Sequence, residues 1–392
     1  MHPVRQSLPT LAFALALAAV LSTMYWSGLH GGFAFDDWGS IVGNAALRPG
    51  GDASHSWLAA FGSGIAGPLG RGLSMLSFAA NYHFFGEDAL SFKLVNLLIH
   101  YANALLTLVL VRQTVRLMYP ASDDRHTHAM AMLVAGLWAL HPMNALPVVY
   151  VVQRMTSLAA LFILAGVSLY LYGRQAAKPH GYLAIAVSLL VCWPAALLSK
   201  ETGVLLGVYL LLCEWLLLRS LDQLPTKVLW MAGLAGSGVF LVVSWHYWGI
   251  VTDGYRVRDF DLLERLLTQA RVLWFYVQQI VIPMPGSFGL YLDDFVVSRG
   301  VWDPPATAIA IAAWCGVIGL AAVRRKRWPG FTLAVGWFLG SHVLESTILP
   351  LEMVFEHRNY LASLGLLIWL THFVLTWRCG PKDRKLRLAV LL

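Results

Sequence analysis

Charge is what this sequence has least of. Asp, Glu, Lys and Arg make up 12% of its 392 residues, about half the share of an ordinary soluble domain. So few charges cannot cover a globule in water, which excludes a soluble fold. The 58% of hydrophobic residues likewise excludes intrinsic disorder, which needs low hydrophobicity and high charge. Cysteine is also scarce. Cys192, Cys213 and Cys315 lie inside apolar runs and Cys379 just after one, so no structural disulfide is expected. No Walker loop, H-E-x-x-H, C-x-x-C or G-x-S-x-G occurs. Without such motifs, and with only short loops on one side of the membrane, a cytosolic nucleotide-driven activity is excluded.

What the chain has instead is length in its apolar runs. Mean hydropathy is +0.64. Ten segments are long enough to span a bilayer, at about 8–29, 93–118, 128–146, 155–172, 182–198, 202–219, 228–249, 305–323, 330–348 and 361–377. The expected fold is an all-α polytopic membrane protein forming one membrane domain, with about ten transmembrane helices. The 16 Trp, 14 Tyr and 18 Phe suit aromatic belts at both interfaces. The net charge of +7 is read as orientation, because cytoplasmic loops collect Lys and Arg; no nucleic-acid partner is expected. The run Arg324 to Arg327 and the tail beyond Arg378 mark the cytoplasmic side, the N-terminus included. The first apolar run reads as an uncleaved span rather than a signal peptide. The closing RLAVLL opens a further apolar run, which suits a chain that continues.

This topology exports two large loops, 30–92 and 250–304. Residues 259–283 must then not span, since otherwise Arg324 to Arg327 would be exported. Their pattern agrees: Leu263, Leu266, Leu267, Leu273, Trp274, Val277, Ile280 and Val281 follow helical spacing, with Glu264, Arg265, Thr268, Arg271, Gln278 and Gln279 opposite. That predicts an amphipathic helix lying in the exported interface.

Polar groups of both signs gather at the exported ends of spans, which points to a polar site there. Asp36 and Asp37, in FAFDDWGS, offer a general base and a partner to orient it; a turn that caps a short helix is the simpler reading. His141 and Arg154 bracket HPMNALPVVYVVQR. A guanidinium there suits a phosphate, as its planar fork donates two parallel hydrogen bonds, or it snorkels to headgroups. Lys200 and Glu201 in LLSKETG, and Glu345, Glu352, Glu356, His357 and Arg358 before the last span, divide the same way between phosphate binding and helix capping. Asp293 and Asp294 form a second acidic pair, read as a turn. Asn96, His100 and Asn103 fall on one stripe of the second span and read as hydrogen-bond glue between helices.

Taken in order, FDDW, GRGLSMLSFAANYHFFG, VNLLIHYANALL, HPMNALPVVYVVQRMTSLAALF, LLSKETGVLL and EHRNYL resemble the bacterial relatives of the transmembrane-and-TPR O-mannosyltransferases, within the GT-C glycosyltransferase superfamily. The resemblance covers roughly residues 30 to 365; the TPR repeats of many members are missing. It implies a GT-C-like membrane fold with interfacial helices in the first exported loop. It further implies a sugar donor carried on a polyprenyl phosphate, and a site facing the exported side, here the periplasmic face of a bacterial inner membrane. On this sequence the family's catalytic acid falls on Asp36 and Asp37. The carrier phosphate falls to Arg154, Lys200 and Arg358, with His141, Gln153, Glu201, Glu356, His357 and Tyr360 in support.

The two lines of reading meet in one expectation: inverting transfer of a sugar from the lipid phosphate to an acceptor hydroxyl on a protein or glycan, among membrane lipids. No metal or other cofactor is required where cations carry the leaving group's charge, although the acidic pair leaves room for a divalent ion. The competing classes are a lipid or sugar transporter or flippase, which should show two repeat halves with broken helices, and a glycan ligase with a pyrophosphate-linked donor.

Overall fold

The computed structural model describes residues 4–48, 56–67, 69–218, 249, 252–284, 286, 288–289 and 295–377. The expected span at 228–249 and the pair Asp293-Asp294 lie outside these residues, apart from residue 249. Among the described residues the regular structure is helical, with one isolated β-bridge between Gly300 and Asp303. Seven helices among the described residues are long and apolar enough to cross a membrane, which makes this an integral membrane protein.

The chain divides into two compact units, Met1–Leu206 with Leu367–Leu392, and Gly207–Leu366. The first opens with α1 (Val4–Leu29). A loop carries the short α2 (Trp57–Gly62) and α3 (Gly72–Phe85). Then come α4 (Ala89–Met118), α5 (Asp124–Ala139), α6 (Leu146–Val149), α7 (Arg154–Gln175), α8 (His180–Ser199) and the first residues, to Leu206, of α9 (Glu201–Leu218), the rest of which belongs to the second unit. Asp88 caps α4 by accepting from the Leu90 and Ser91 N–H groups, which satisfies donors the first helical turn leaves open.

The segment expected as one span at 128–146 is bent by 63° between Ala139 and Pro142. The cause is local. His141 precedes a proline, a position where helical ψ is disfavoured, and adopts an extended ψ of 128°. If this bent pair crosses as one span, the count rises to eight.

Helix α4 organises the first unit. Lys93, Asn96, His100, Asn103, Thr107 and Thr114 recur every three or four residues along one face, and each is no more than 4% exposed. Asn96 Nδ2 donates to the Val148 and Val151 carbonyls, Asn103 Nδ2 donates to the Ser157 carbonyl, and His100 Nε2 bonds the Ala139 carbonyl. The expected interhelical glue is thus present. In an apolar medium such bonds are worth about 0.6–2 kcal/mol each. Lys93 Nζ donates to the Gly28 and Gly31 carbonyls, placing a cation at the C-terminal end of α1, where the helix dipole favours one.

In the second unit, α10 (Leu262–Val281), α11 (Ala306–Arg324) and α12 (Pro329–His342) precede α13 (Asn359–Trp377), whose first residues complete the unit. The helix expected at 259–283 is present and is not among those apolar enough to span. Asp261 and Glu264 close its N-terminus with a reciprocal capping box. Its faces correct the sequence reading. Arg265, Thr268, Gln269 and Gln279 are buried together with Leu267 and Ile280, whereas Leu263, Leu266, Gln278 and Val281 are exposed. Much of the polar side packs against protein rather than water.

Arg265 explains why polar groups of this helix turn inward. Its Nε and NH2 donate to the Thr347 and Glu345 carbonyls, and NH1 to that of Leu351. It also explains why α12 stops at His342 although the span was expected to run to 348. The carbonyls that would continue the helical ladder are drawn to a guanidinium instead, and residues 343–349 form turns. Replacing Arg265 with Ala leaves three buried acceptors unmet. It should cost about 2–4 kcal/mol, read as a lower melting temperature of the detergent-solubilised protein.

Candidate functional site

The site in the first unit is built on the seven residues Tyr150 to Thr156, between α6 and the first turn of α7. Four motifs that are far apart in sequence converge on this strip.

The acidic pair reaches it first. Phe35 has φ +42°, a left-handed conformation that L-residues with side chains rarely adopt. It reverses the chain, so that Asp37 Oδ2 accepts from the Ala34 N–H at 3.0 Å. Asp37 Oδ1 accepts from the Val152 N–H at 2.7 Å. Asp37 is 0% exposed. Burial pushes its carboxyl above the ordinary value, against the pull of the N–H groups of Ala34, Val152 and Val151 and the charge of Lys93. Asp36, next in the chain, is exposed. Its N–H donates to the Tyr150 hydroxyl at 3.0 Å. Burial raises the Tyr150 phenol, and the Asp36 carboxylate acts on it in the same direction, so this hydroxyl stays protonated beside Asp36. The two aspartates therefore differ in kind: Asp37 braces the turn onto the strip, and Asp36 presents a carboxylate to the outside.

Arg154 corrects the expectation of a phosphate ligand. It is 0% exposed. Nε donates to Asn96 Oδ1 at 2.7 Å, NH1 to the Ser77 carbonyl at 3.0 Å and NH2 to the Phe92 carbonyl at 2.8 Å. The rings of Phe78 and Phe92 lie 4.7 and 5.4 Å from the guanidinium carbon. Donors spent on α3 and α4 leave this side chain no edge for a phosphate. Its neighbour Gln153 does join the site: its Oε1 accepts from Thr156 Oγ1 at 2.8 Å.

Thr156 in turn accepts from Lys200 Nζ at 3.2 Å, which brings the SKE motif onto the strip. Lys200 is 5% exposed. Glu201 pairs with Arg71: Nε and NH2 each lie 2.9 Å from Oε2. Arg71 NH1 meets Met155 Sδ at 3.3 Å. Gly67, with φ +78°, lies over this pair. A Cβ there would fall 2.1 Å from Glu201 Oε1, so only glycine lets the loop close on the carboxylate.

His141 caps the turn Pro142–Asn144, with Nδ1 accepting from the Met143 N–H at 3.1 Å. Glu356, His357, Arg358 and Tyr360 belong to the second unit, and all four are buried. Glu356 Oε1 accepts from the Gly289 N–H at 2.6 Å. Arg358 NH1 and NH2 donate to the Met353 and Glu352 carbonyls at 3.1 and 2.8 Å. Those bonds fold residues 352–358 back on themselves, and helix-end capping describes Arg358 better than phosphate binding. Among the described residues no group of three or more His, Cys, Asp and Glu gathers as metal ligands.

Sequence reasoning passed over Tyr150, Lys93, Met155 and Arg71. Lys93 carried a signal, a lone cation at the head of an apolar span. Arg71 carried one too, flanked by glycines in GRG, although no partner could be read for it.

Comparison with known proteins gives three representative relatives. The chain is 31% identical over 210 residues to the protein O-mannosyl-transferase TMTC1 of Mus musculus, covering 49% of this chain and 21% of that protein. It is 30% identical over 166 residues to TMTC4 of Homo sapiens, covering 40% and 22%. With TMTC3 of Mus musculus the figures are 25% over 193 residues, 48% and 20%. The chain thus spans about a fifth of the length of the curated relatives it matches, and over that stretch it is TMTC-like. No family model and no solved structure matches it.

Arg154→Leu removes three bonds from a buried guanidinium and strands the Asn96 carbonyl and two backbone acceptors. A loss of about 3 kcal/mol should appear as a collapsed yield of monodisperse protein in size-exclusion chromatography. A phosphate ligand at the surface would instead leave yield unchanged and lower activity alone.

Proposed function

We propose that this chain is a GT-C type glycosyltransferase, which moves a sugar from a polyprenyl-phosphate carrier to an acceptor hydroxyl on the exported side of the membrane. The observation that carries the reading is the split of the acidic pair: a buried Asp37 pins the turn to the strip at 150–156, and an exposed Asp36 stands beside Tyr150. A carboxylate held on a fixed turn beside buried cations is what general-base transfer from a phosphate-linked donor requires. The relatives are protein O-mannosyl-transferases, which supports the same class, and mannose is the first donor to try.

In the proposed step, Asp36 takes the proton of the acceptor hydroxyl. The freed oxygen forms a bond to the anomeric carbon, with inversion. The bond from that carbon to the phosphate oxygen breaks, and the polyprenyl phosphate leaves with the electron pair. Its growing negative charge needs preorganised cations, and Lys200, held on Thr156, is one. Arg154, whose donors go to Asn96 and two carbonyls, and Arg358, whose NH1 and NH2 close its own turn, are not assigned this task. In the second unit an apolar groove of about 660 Å³, lined by Trp274, Val277, Val281, Ile309 and Ala310, has the chemistry an isoprenoid chain would take. The expected setting is a bacterial inner membrane with the site at the periplasmic face.

The test is transfer of labelled sugar from a polyprenyl-phosphate-linked donor by purified wild type, Asp36→Asn and Asp37→Asn. Asp36→Asn should keep the wild-type melting temperature and lose roughly 10²–10⁴-fold in kcat. Asp37→Asn replaces an acceptor of two N–H bonds with one that serves a single bond. It should lower the melting temperature and reduce activity in proportion to folded protein. Full transfer by Asp36→Asn would remove the general base and with it the mechanism.

A further inference from the structure

We infer that Arg71 is a binding residue for the phosphate of an isoprenoid-phosphate donor, and that Glu201 positions it for that task. The inference rests on the transferase reading above. Nothing in the sequence reading assigned Arg71 a role.

Three observations meet at this side chain. The first is its backbone. Arg71 has φ +50° and ψ +43° at the N-terminus of α3. Of the described non-glycine residues only Arg71 and Phe35 have positive φ, and Phe35 is the residue that sets the Asp36 turn. Conformations this costly persist where surrounding contacts over-determine them, and they cluster at working sites. Here a glycine stands on each side, Gly70 and Gly72, so a glycine at 71 would suit the backbone better. The chain carries an arginine instead.

The second is the way its donors are spent. A guanidinium offers five N–H groups in a planar fork. The Nε and NH2 edge is engaged by Glu201, at 2.9 Å to Oε2 from both nitrogens. The remaining nitrogen, NH1, meets the thioether of Met155 at 3.3 Å. A thioether is a weak acceptor. One edge of the fork is therefore fixed by a carboxylate, and the other faces a contact that any phosphate oxygen would outcompete.

The third is confinement together with access. Gly67 closes over Glu201 so tightly that a Cβ would fall 2.1 Å from Oε1, which holds the carboxylate and the fork it grips. The pair nevertheless remains reachable, with 19% of the Arg71 side chain and 18% of that of Glu201 exposed. Lys200 precedes Glu201 in the chain, and its Nζ is bonded to Thr156, the neighbour of Met155. Two cations thus address adjacent residues of the strip that also carries the aspartate turn. A surface ion pair selected for stability alone would be worth little and would need neither a left-handed arginine nor a thioether across its open edge. When the sugar leaves, the phosphate oxygen keeps the electron pair of the broken bond, and NH1 of Arg71 holds the charge that develops there.

The experiment uses the whole purified chain with undecaprenyl phosphate, carrying no sugar, as probe, so that binding is read apart from transfer. Binding is measured by ligand-induced shift of the melting temperature, and KM and kcat with the sugar-loaded donor. Arg71→Gly suits the left-handed backbone and so removes the guanidinium without straining the fold. Arg71→Lys keeps a charge and removes the fork. The expected results are a loss of at least tenfold in affinity and a matching rise in KM for Arg71→Gly, with a smaller loss for Arg71→Lys. Glu201→Gln should weaken binding several-fold, and Arg71→Lys in the same background should weaken it little further. Asp36→Asn should bind like wild type. Wild-type affinity in a folded Arg71→Gly or Arg71→Lys protein overturns the inference, as does a wild type that does not bind the probe. A wild type that binds the probe through Arg71 but transfers no sugar leaves this site standing and refutes the transferase reading instead. Normal transfer and binding by Arg71→Gly does the reverse.

Discussion

The first unit depends on one buried charge. A guanidinium that is 0% exposed is stable only where each donor edge finds an acceptor, since an unpaired buried cation costs several kcal/mol. Arg154 meets that demand with a side-chain amide on α4 and a backbone carbonyl on each of α3 and α4. Those bonds fix where α7 starts relative to α3 and α4. The strip before it, with its free N–H at Val152 and its hydroxyl at Tyr150, is thereby fixed too. Without that anchor Asp37 would have no rigid donor to grip, and Asp36 no fixed position.

A division of labour then repeats across the site. In the doublets Asp36-Asp37 and Gln153-Arg154, one member builds and the other is presented. Asp37 is buried in N–H bonds and Asp36 is exposed. Arg154 is consumed and Gln153 joins the polar chain to Thr156 and Lys200. Helical and turn geometry gives a reason: consecutive residues point in different directions, so a doublet at the edge of a packed bundle must place one side chain inward. The inward one has to be satisfied by protein, and satisfying it immobilises its neighbour. Adjacent ionisable residues are thus an economical way to place a reactive group on a loop with the precision of a helix.

How much of this could be read beforehand follows from the range of the forces involved. Apolar runs are local, so α1, α4, α7, α8, α9, α11 and α13 were legible to within a few residues. The bend after Ala139 interrupts what was read as one span at 128–146, although the restriction on the residue before Pro142 is itself a local signal. The early end of α12 was not, because it is set by Arg265, some eighty residues away. The two faces of α10 were visible in the sequence, but not which of them meets protein. In water the polar face turns outward; in a protein surrounded by apolar medium the preference reverses, and Arg265 shows which applies. Likewise the stripe Asn96, His100 and Asn103 announced interhelical bonds, whereas nothing local to QRM told that Arg154 would turn to Asn96 rather than to a ligand.

The loop between α1 and α4 owes its rigidity to strain and close approach rather than to bulk. It contains both left-handed non-glycine residues of the described structure, Phe35 and Arg71, and it closes on Glu201 through a glycine with no room for a side chain. The loop buries a few apolar side chains, among them Ile41, Leu47, Met75 and Phe78, and exposes others such as Trp38, Leu58 and Ile65. It is tied to the bundle by Asp37 to Val152, the Asp36 backbone to Tyr150, Arg71 to Glu201, Ser74 to the Ser199 carbonyl and the Ser77 carbonyl to Arg154. Each of these ties ends on the strip at 150–156 or on a residue next to Lys200. The ties that shape the loop therefore coincide with the residues assigned to the chemistry, and a change that loosens the loop will move the base and the cations together.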